Sequence, residues 1–218
     1  MVTHPARRQP EPRFPALQEP MAPPELKSVC VYCASSNAAS EAWLADAATL
    51  GRALAGAGLR LVYGGGGVGL MGACARAAHE AGGRVFGVIP QFLTIAERPL
   101  DEVETVVVTS MHERKMRMFE EANAFVVLPG AIGTLEEAVE LLSWRRLGLH
   151  AKPIVFFSPD GFWDPLFALF DRFVETNLVP GIFLECWRVV ERIEEVIPAL
   201  TSLPGEAPVV ALHLSRLS

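Results

Sequence analysis

Short apolar runs alternate with longer amphipathic stretches along most of this chain. The apolar runs predict strands at residues 28–33, 59–63, 84–89, 103–108, 124–128 and 153–157, with a weaker one at 187–190. The stretches between them predict helices near 41–56, 69–81, 111–122, 134–147, 163–176 and 191–200. Strands that are apolar almost throughout are buried on both faces, and alternation with helices is typical of parallel βαβ units. The pattern therefore predicts one α/β domain at about 28–200, a doubly wound parallel sheet with helices on both faces.

The two ends of the chain lack this alternation. Seven of the 17 prolines fall within the first 25 residues, where they fix φ and remove backbone hydrogen-bond donors. We therefore expect a disordered Pro-rich tail at 1–26, a folded domain at 27–202 and a C-terminal tail at 203–218. The N-terminal stretch contains no apolar h-region, so we do not expect it to act as a secretory signal.

Charge and hydropathy exclude some classes of partner. The 19 Lys and Arg residues against 25 Asp and Glu residues give a formal net charge of −6. Phosphate contacts require a basic face, so we expect no nucleic-acid partner. No apolar run approaches the ~20 residues needed to cross a bilayer, so we expect no membrane partner either.

The four cysteines allow two interpretations. Cys30 and Cys33 form the sequence C-V-Y-C, which is compatible with a redox pair or with half of a zinc site. Cys74 and Cys186 are too far apart in the sequence to form the second pair of a four-cysteine zinc site. The apolar run around Cys30 favours buried, reduced thiols, which indicates a cytoplasmic protein without a bound metal.

A first glycine-rich turn follows the second predicted strand. Residues 63–72 are Y-G-G-G-G-V-G-L-M-G and contain G-x-G-x-x-G in two registers. Such glycines let backbone N–H groups approach a phosphate at a helix N-terminus, although a tight strand–helix turn explains them equally well. A dinucleotide site also has a carboxylate at the end of the next strand, and residues 88–91 (V-I-P-Q) contain none. We interpret the turn as a phosphate or nucleotide contact that does not bind NAD.

A second glycine turn follows the fifth predicted strand. Residues 128–137 are L-P-G-A-I-G-T-L-E-E, so backbone amides and the Thr134 hydroxyl lie where a helix begins. Exposed amides at a helix start form an anion site. The spacing of Thr134 and Glu137 also fits a capping box, Thr-x-x-Glu, which needs no ligand. Both interpretations remain open from the sequence.

A basic helix start follows the fourth predicted strand. Residues 110–118 are S-M-H-E-R-K-M-R-M, in which Ser110 and Glu113 fit a second capping box. Arg114, Lys115 and Arg117 then occupy the first turns, where each cation opposes the helix macrodipole by about 0.3–1 kcal/mol. A solvated charged face would explain the run, but cations at an unfavourable position indicate an anionic ligand near residues 109–115.

Together these segments resemble the LOG ("lonely guy") family, the cytokinin riboside 5′-monophosphate phosphoribohydrolases, many of which carry the label "lysine decarboxylase-like". The resemblance rests on V-C-V-Y-C-A-S-S at 29–36, V-Y-G-G-G-G-V-G-L-M-G at 62–72, M-H-E-R-K at 111–115, P-G-A-I-G-T-L-E-E at 129–137 and S-W-R-R-L-G-L-H-A-K-P at 143–153. It covers residues 28–200 in the family's order. It implies a Rossmann-like homodimer that cleaves the N-glycosidic bond of adenosine-type 5′-monophosphates, with no metal or organic cofactor.

The resemblance also assigns roles to residues at the motif positions. Arg114 and Glu137 would be the catalytic pair, with Glu137 stabilising positive charge at the anomeric carbon and orienting water. Arg114 would grip the nucleotide and hold Glu137 ionised, because a guanidinium stays protonated. The substrate-binding positions would be Ser35, Gly65, Gly66, Glu97, Met111, Lys115, Gly130, Ala131, Gly133, Thr134, Glu136 and Ser143.

Two positions depart from the family pattern. Ala131 replaces the second glycine of P-G-G-x-G-T, which strains the turn if the position needs φ > 0 and crowds the phosphate site if it does not. Arg145 and Arg146 follow Trp144 where Trp-x-Gln is usual, which adds two positive charges near the pocket or the dimer contact. The first change motivates an alternative, a nucleotide-binding protein without hydrolysis. A pyridoxal phosphate decarboxylase would need a Schiff-base lysine, and only Lys115 and Lys152 lie well inside the predicted domain.

Overall fold

Seven parallel strands lie side by side in one sheet. The structure is a computed structural model that describes residues 25–202. All seven predicted strands are present, and each agrees with its predicted bounds to within one residue at either end. The strands are β1 (Ser28–Tyr32), β2 (Arg60–Tyr63), β3 (Val85–Pro90), β4 (Glu104–Val108), β5 (Ala124–Val127), β6 (Ile154–Phe157) and β7 (Arg188–Val190).

Helices connect successive strands, and six of them correspond to predicted ones. The first of these, Glu41–Gly56, begins at Ser40, whose hydroxyl accepts a hydrogen bond from the Trp43 amide. The sequence did not predict the four-residue helix after β3, and a 3₁₀ turn replaces the first part of the last helix. The helices are α1 (Glu41–Gly56), α2 (Gly69–Glu80), α3 (Thr94–Glu97), α4 (Met111–Glu121), α5 (Ile132–Arg146), α6 (Asp164–Glu175) and α7 (Val196–Ser202).

The strand order creates a crevice beside the central strand. The order is β4–β3–β2–β1–β5–β6–β7, and every neighbouring pair is parallel. The chain moves outward from β1 to β4 and then returns to place β5 against β1, with Tyr32 paired with Val127. In such sheets ligands bind outside the carboxyl ends of the strands at this reversal. The predicted α/β fold is confirmed.

Side chains of β1 alternate between two hydrophobic layers. Val29 and Val31 pack with α1, α2 and α7 on one face of the sheet, whereas Cys30 and Tyr32 pack with α4, α5 and α6 on the other. All four cysteines are free and buried, as the buried-thiol interpretation predicted. Within residues 25–202, no group of three or more His, Cys, Asp or Glu side chains could hold a metal ion.

The predicted tails fall almost entirely beyond the part of the chain that the structure describes. The described residues begin at 25 and end at 202, so the N-terminal tail (1–26) is covered only at its last two residues and the C-terminal tail (203–218) not at all. Both remain predictions. Between residues 25 and 202, none of the helices is long and apolar enough to cross a membrane.

Candidate active site

A cavity of about 170 Å³ opens at the carboxyl ends of β1 and β5. The segment after β1 and the first turns of α5 form two of its walls, and side chains of α2, α3 and α4 complete it. Its position matches the crevice expected from the strand order. The residues that line it are Val31, Tyr32, Cys33, Ala34, Ser35, Ser36, Gly64, Met71, Glu97, Met111, Arg114, Met118, Ala131, Gly133, Thr134, Glu136 and Glu137.

Arg114 is held rigidly in this cavity by backbone carbonyls. The side chain is buried, with Nε donating to the Val88 carbonyl at 3.2 Å and Nη2 donating to the Gly64 carbonyl at 2.9 Å. Both acceptors are neutral, so the hydrogen bonds orient the guanidinium without neutralising its charge. Its Nη1 lies 4.0 Å from the Met111 sulfur.

The start of α4 positions Arg114. The Ser110 hydroxyl accepts a hydrogen bond from the Glu113 amide at 3.1 Å, as the predicted capping box requires. The Glu113 carboxylate does not return to the Ser110 amide, and instead accepts from the amide and hydroxyl of Thr109. Only the Ser110 half of the capping box is therefore formed. The Glu113 carboxylate binds Thr109, one residue before the N-cap, instead.

Glu97 approaches Arg114 from α3. Its Oε2 lies 3.8 Å from Arg114 Nη2, and this oxygen is buried without a hydrogen-bond partner among the described residues. Burial raises the pKa of the Glu97 carboxyl, and the nearby guanidinium opposes that rise. The Gly67 amide donates to the carbonyls of Glu97 and Arg98 at 2.7 and 3.0 Å, and Arg98 has a left-handed φ of 47°. These contacts hold Glu97 over the cavity.

Glu137 lies on α5 and faces the same cavity. Burial raises the pKa of its carboxyl from 4.5 to about 7, although Arg114 acts in the opposite direction. The Glu136 carboxylate adds to the rise. Arg114 lowers the pKa of Glu137, as expected. It does not hold the carboxyl fully ionised, because burial raises the pKa by more than the guanidinium lowers it.

The first turn of α5 offers unpaired backbone donors to the cavity. The helix begins at Ile132 with Ala131 as its N-cap, and no side chain caps it. Thr134 lies inside the helix and cannot cap it, so the capping-box interpretation of Thr134 and Glu137 is wrong. The first amides of a helix have no acceptor within it, and no hydrogen bond between described residues outside the helix uses those of Gly133 and Thr134.

The alanine in this turn is accommodated without strain. Ala131 has φ −96° and ψ −154°, an extended conformation that any residue adopts. Backbone strain at Ala131 is thus excluded. The remaining expected effect is crowding, since the Ala131 methyl group lies at the cavity wall. Gly130 is more restricted, because a Cβ there would overlap the Thr134 side chain.

Several amides of the first glycine turn donate to neighbouring segments of the protein. The Gly69 amide donates to Asn37 Oδ1 at 3.0 Å, and the Leu70 amide donates to the Ala34 carbonyl at 3.0 Å. Gly65 and Gly66 are not among the lining residues. The turn brings the Gly64 carbonyl to Arg114, and its hydrogen bonds favour a role in shaping the site over one in binding phosphate.

Some predicted site residues lie outside the cavity lining. Lys115 forms ion pairs with Glu136 and Glu140 of α5, and Ser143 is exposed further along that helix. Arg145 is buried and donates to the Lys152 carbonyl at 3.1 Å, so this departure from the family pattern adds no charge to the cavity lining. By contrast, Ser35, Glu97, Met111 and Glu136 line the cavity with the catalytic pair.

Solved structures with the same fold include proteins named for the molybdenum cofactor. The molybdenum cofactor carrier protein of Chlamydomonas reinhardtii matches with a TM-score of 0.61 at 23% identity, covering 82% of this chain and 98% of that one. The molybdenum cofactor binding protein of Rippkaea orientalis matches with a TM-score of 0.62 at 23% identity, covering 81% and 96%. At this identity the likeness shows the fold alone.

Sequence comparisons identify the family. A family model described as "Possible lysine decarboxylase" matches residues 71–200. Three proteins of Oryza sativa subsp. japonica are similar to the chain. Two are named "Probable cytokinin riboside 5′-monophosphate phosphoribohydrolase". The first is 41% identical over 180 residues, which cover 79% of this chain and 79% of the relative. The second is 47% identical over 146 residues, which cover 66% of this chain and 65% of the relative. The third, "Cytokinin riboside 5′-monophosphate phosphoribohydrolase LOG", is 42% identical over 156 residues, 70% of this chain and 64% of its own.

The chain thus spans slightly less than two thirds of the second and third relatives and more of the first. The family-model match includes the α4 segment that carries Arg114 and the α5 segment that carries Glu137. This chain belongs to the LOG family of cytokinin riboside 5′-monophosphate phosphoribohydrolases.

Proposed function

We propose that this chain hydrolyses the N-glycosidic bond of adenosine-type 5′-monophosphates and releases the free base and ribose 5-phosphate. We further propose that it does so in the cytoplasm, as a homodimer. The observation that carries the proposal is the convergence of three groups on one cavity. These are a rigid guanidinium at Arg114, a poorly solvated carboxyl at Glu137 and the unpaired amides at the start of α5.

The 5′-phosphate binds at the start of α5. Gly133 and Thr134 line the cavity, no hydrogen bond between described residues outside the helix uses their amides, and a helix N-terminus favours a negative charge. The Thr134 side chain packs directly against Gly130, where a Cβ would displace it. The second glycine turn is the better phosphate site, since the amides of Gly67 and Gly69 in the first are already bonded and Gly65 and Gly66 do not line the cavity.

Glu97 is the candidate ligand of the ribose hydroxyls, a role for which the end of β3 offers no carboxylate. Its buried Oε2 has no hydrogen-bond donor among residues 25–202, and an unpaired buried acceptor is unfavourable by about 1–3 kcal/mol. A ribose hydroxyl would satisfy it. Carboxylates bind ribose in dinucleotide sites in the same way, although there they lie at the strand end.

Glu137 and Arg114 then carry out the chemistry. As the bond between C1′ and the base breaks, its electron pair leaves with the base and positive charge develops at C1′. The Glu137 carboxylate stabilises that charge and accepts a proton from the water that attacks C1′, and transfer of this proton to the departing base completes the hydrolysis. Arg114 attracts the anionic nucleotide and lowers the pKa of Glu137 from the value that burial alone would give.

Apolar side chains shape the rest of the cavity. Met71, Met118 and Tyr32 line it, and Met111 lies at its exposed edge. Thioether side chains adapt to irregular apolar ligands and contact aromatic rings favourably. They support binding of a purine, with space at the Met111 edge for an apolar N6 substituent.

The structure disfavours a pyridoxal phosphate enzyme. The chain has three lysines, Lys27, Lys115 and Lys152, and none is among the lining residues of the cavity. Lys152 Nζ donates to the Phe119 carbonyl at 2.6 Å and lies 3.9 Å from the centre of the Phe119 ring. A Schiff-base lysine needs access to its cofactor, which these positions do not provide.

Release of base from AMP and from N6-isopentenyl-AMP, followed by chromatography, tests the proposal. We expect the full chain to release base from at least one of them, and Glu137→Gln to abolish release without preventing nucleotide binding. Asp171→Asn, a surface carboxylate change on α6, is the matched control and should behave as the wild type. Nucleotide binding without release by the wild type would leave a binding protein of this fold.

A further inference from the structure

We propose that Lys115 is a positioning residue whose ammonium clamps α4 to α5 and so fixes Arg114 relative to Glu137. This differs from the role of nucleotide ligand that the family resemblance implies for Lys115. The inference rests on the proposed function, because positioning matters only if Arg114 and Glu137 act together on one substrate.

The contacts of Lys115 connect the two helices that carry the catalytic pair. Its Nζ forms an ion pair with Glu136 and another with Glu140 Oε2 at 3.0 Å. Lys115 directly follows Arg114, and Glu136 directly precedes Glu137. The clamp therefore joins the two helices one residue away from each catalytic side chain.

The clamp is sheltered enough to hold a defined geometry. The side chains of Lys115 and Glu140 are 13% and 29% exposed, so this ion pair is screened less than one at an open surface, whereas Glu136 is 51% exposed. Elsewhere the two helices meet through the edge-to-face contact of Phe119 with Trp144, whose ring centres lie 5.1 Å apart. That contact lies more than one turn further along α4 than Lys115.

Lys115 is poorly placed to bind phosphate. It is not among the cavity-lining residues, and two of its three N–H donors are directed to carboxylates. One ammonium between two carboxylates also leaves the group with a net negative charge. An incoming phosphate would meet repulsion there, whereas the start of α5 offers free amides.

Weakening the clamp from either helix should therefore lower the same rate constant, and by more at Lys115, which makes both ion pairs, than at Glu140, which makes one. A misplacement of about 1 Å can lower a rate by about 100-fold, so we expect Lys115→Met to lower kcat by about 10-fold and Glu140→Gln, which leaves the Glu136 ion pair, by about threefold. Glu140 does not line the cavity, so a lower kcat in the Glu140→Gln variant cannot come from a lost substrate contact. The KM for AMP should stay within about threefold of the wild-type value.

The experiment compares kcat and KM of the full chain with those of its variants. The wild type, both single variants and the double variant are assayed at about pH 8.5, where Glu137 is ionised, so that shifts of its pKa do not contribute. Lys115→Arg tests rescue by a longer cation. Arg117→Met is the matched control, because Arg117 pairs with Glu121 on the outer part of the same helix.

A loss of kcat in both single variants, a double variant no slower than Lys115→Met and partial rescue by Lys115→Arg would support the clamp. The clamp is overturned if Lys115→Met weakens AMP binding by more than about 10-fold while Glu140→Gln leaves affinity unchanged or improves it, as a phosphate ligand requires. If Lys115→Met does not fold, the same comparison is made with Glu140→Gln, and an unchanged kcat in that variant overturns the proposal.

Calorimetric AMP affinities and free energies of unfolding are measured on the same proteins. If the wild type releases no base, the proposed function fails, and these two quantities decide the clamp separately. A clamp gives AMP affinities within about threefold and a non-zero coupling between Lys115 and Glu140 in the double-mutant cycle. Additive free energies of unfolding would contradict it.

Discussion

At the scale of single residues, Glu137 couples the active site to stability. Its folded-state pKa of about 7 lies above its ordinary value of 4.5, so the folded protein favours the protonated carboxyl. The stability this contributes is complete below about pH 4.5 and is lost as pH rises through about pH 7. We expect Glu137→Gln to raise the free energy of unfolding by about 1–3 kcal/mol at pH 8 relative to the wild type.

Urea unfolding at about pH 4.5 and about pH 8 measures this difference. The gain from Glu137→Gln should be largest at the higher pH and nearly vanish at the lower, where both side chains are neutral. Asp171→Asn, whose carboxyl is exposed on α6, should show no such dependence. A gain of equal size at both pH values would mean that burial does not raise the pKa of Glu137.

The same pKa sets the pH dependence of the reaction. Only the ionised Glu137 can accept a proton from water, so kcat/KM should rise with pH and level off above about pH 7. Glu97→Gln removes a negative charge that raises the pKa of Glu137, and should move the midpoint to lower pH. Initial rates of base release across pH measure both. A midpoint near the ordinary carboxyl value of 4.5 would contradict this.

At the scale of elements, close approach of α1 and α2 depends on a glycine within a helix. A Cβ at Gly51 would overlap the Cys74 carbonyl oxygen, whereas one at Gly56 would meet no atom of the described residues within 4 Å. We expect Gly51→Ala to lower the free energy of unfolding by about 1–3 kcal/mol, although alanine favours helix more than glycine does. Gly56→Ala is the control and should raise it by about 0.5–1 kcal/mol.

Thermal or urea unfolding of the two variants measures the contrast. Both substitutions remove the same flexibility from the same helix, so a difference in sign isolates the packing of α1 on α2. Stabilisation by Gly51→Ala would mean that the helices can separate at little cost.

The strands could be predicted from the sequence because their apolar runs reflect burial on both faces, a local and continuous signal. The start of α5 could not, because Thr-x-x-Glu has the spacing of a capping box while the helix begins two residues earlier, at Ile132, without a side-chain cap. The short helix α3 also escaped prediction. Its residues 94–97 are too few to show a helical period, and the Gly67 amide bonded to the Glu97 carbonyl stabilises its position.

At the scale of the whole molecule, the site is assembled from segments that the sheet order brings together. The motifs located Arg114 and Glu137, and the strand order explains why they share one cavity. The 3.8 Å approach of Glu97 to Arg114 and the ion pairs of Lys115 join different connections between strands. Contacts of this kind depend on how helices pack on the sheet, so no local pattern in the sequence specifies them.

The proposed homodimer belongs to this scale, and α5 offers a surface for it. Ile132 and Val139 are 79% and 42% exposed and lie seven residues apart, so they share one face of the helix with Ser143. A partner copy would bury these side chains. We expect the wild type to be dimeric at about 10 μM and Val139→Asp to be monomeric, because a buried unpaired carboxylate disfavours association by several kcal/mol.

Size-exclusion chromatography with light scattering measures the mass of each protein. Leu178→Asp is the matched control, since Leu178 is also an exposed apolar residue but follows α6 and is not on α5. It should leave the dimer intact. A monomeric wild type, or a Val139→Asp variant that remains dimeric, would place the contact elsewhere. If dissociation of the dimer also lowers the rate of base release, the cavity at the start of α5 needs the second copy of the chain for full activity.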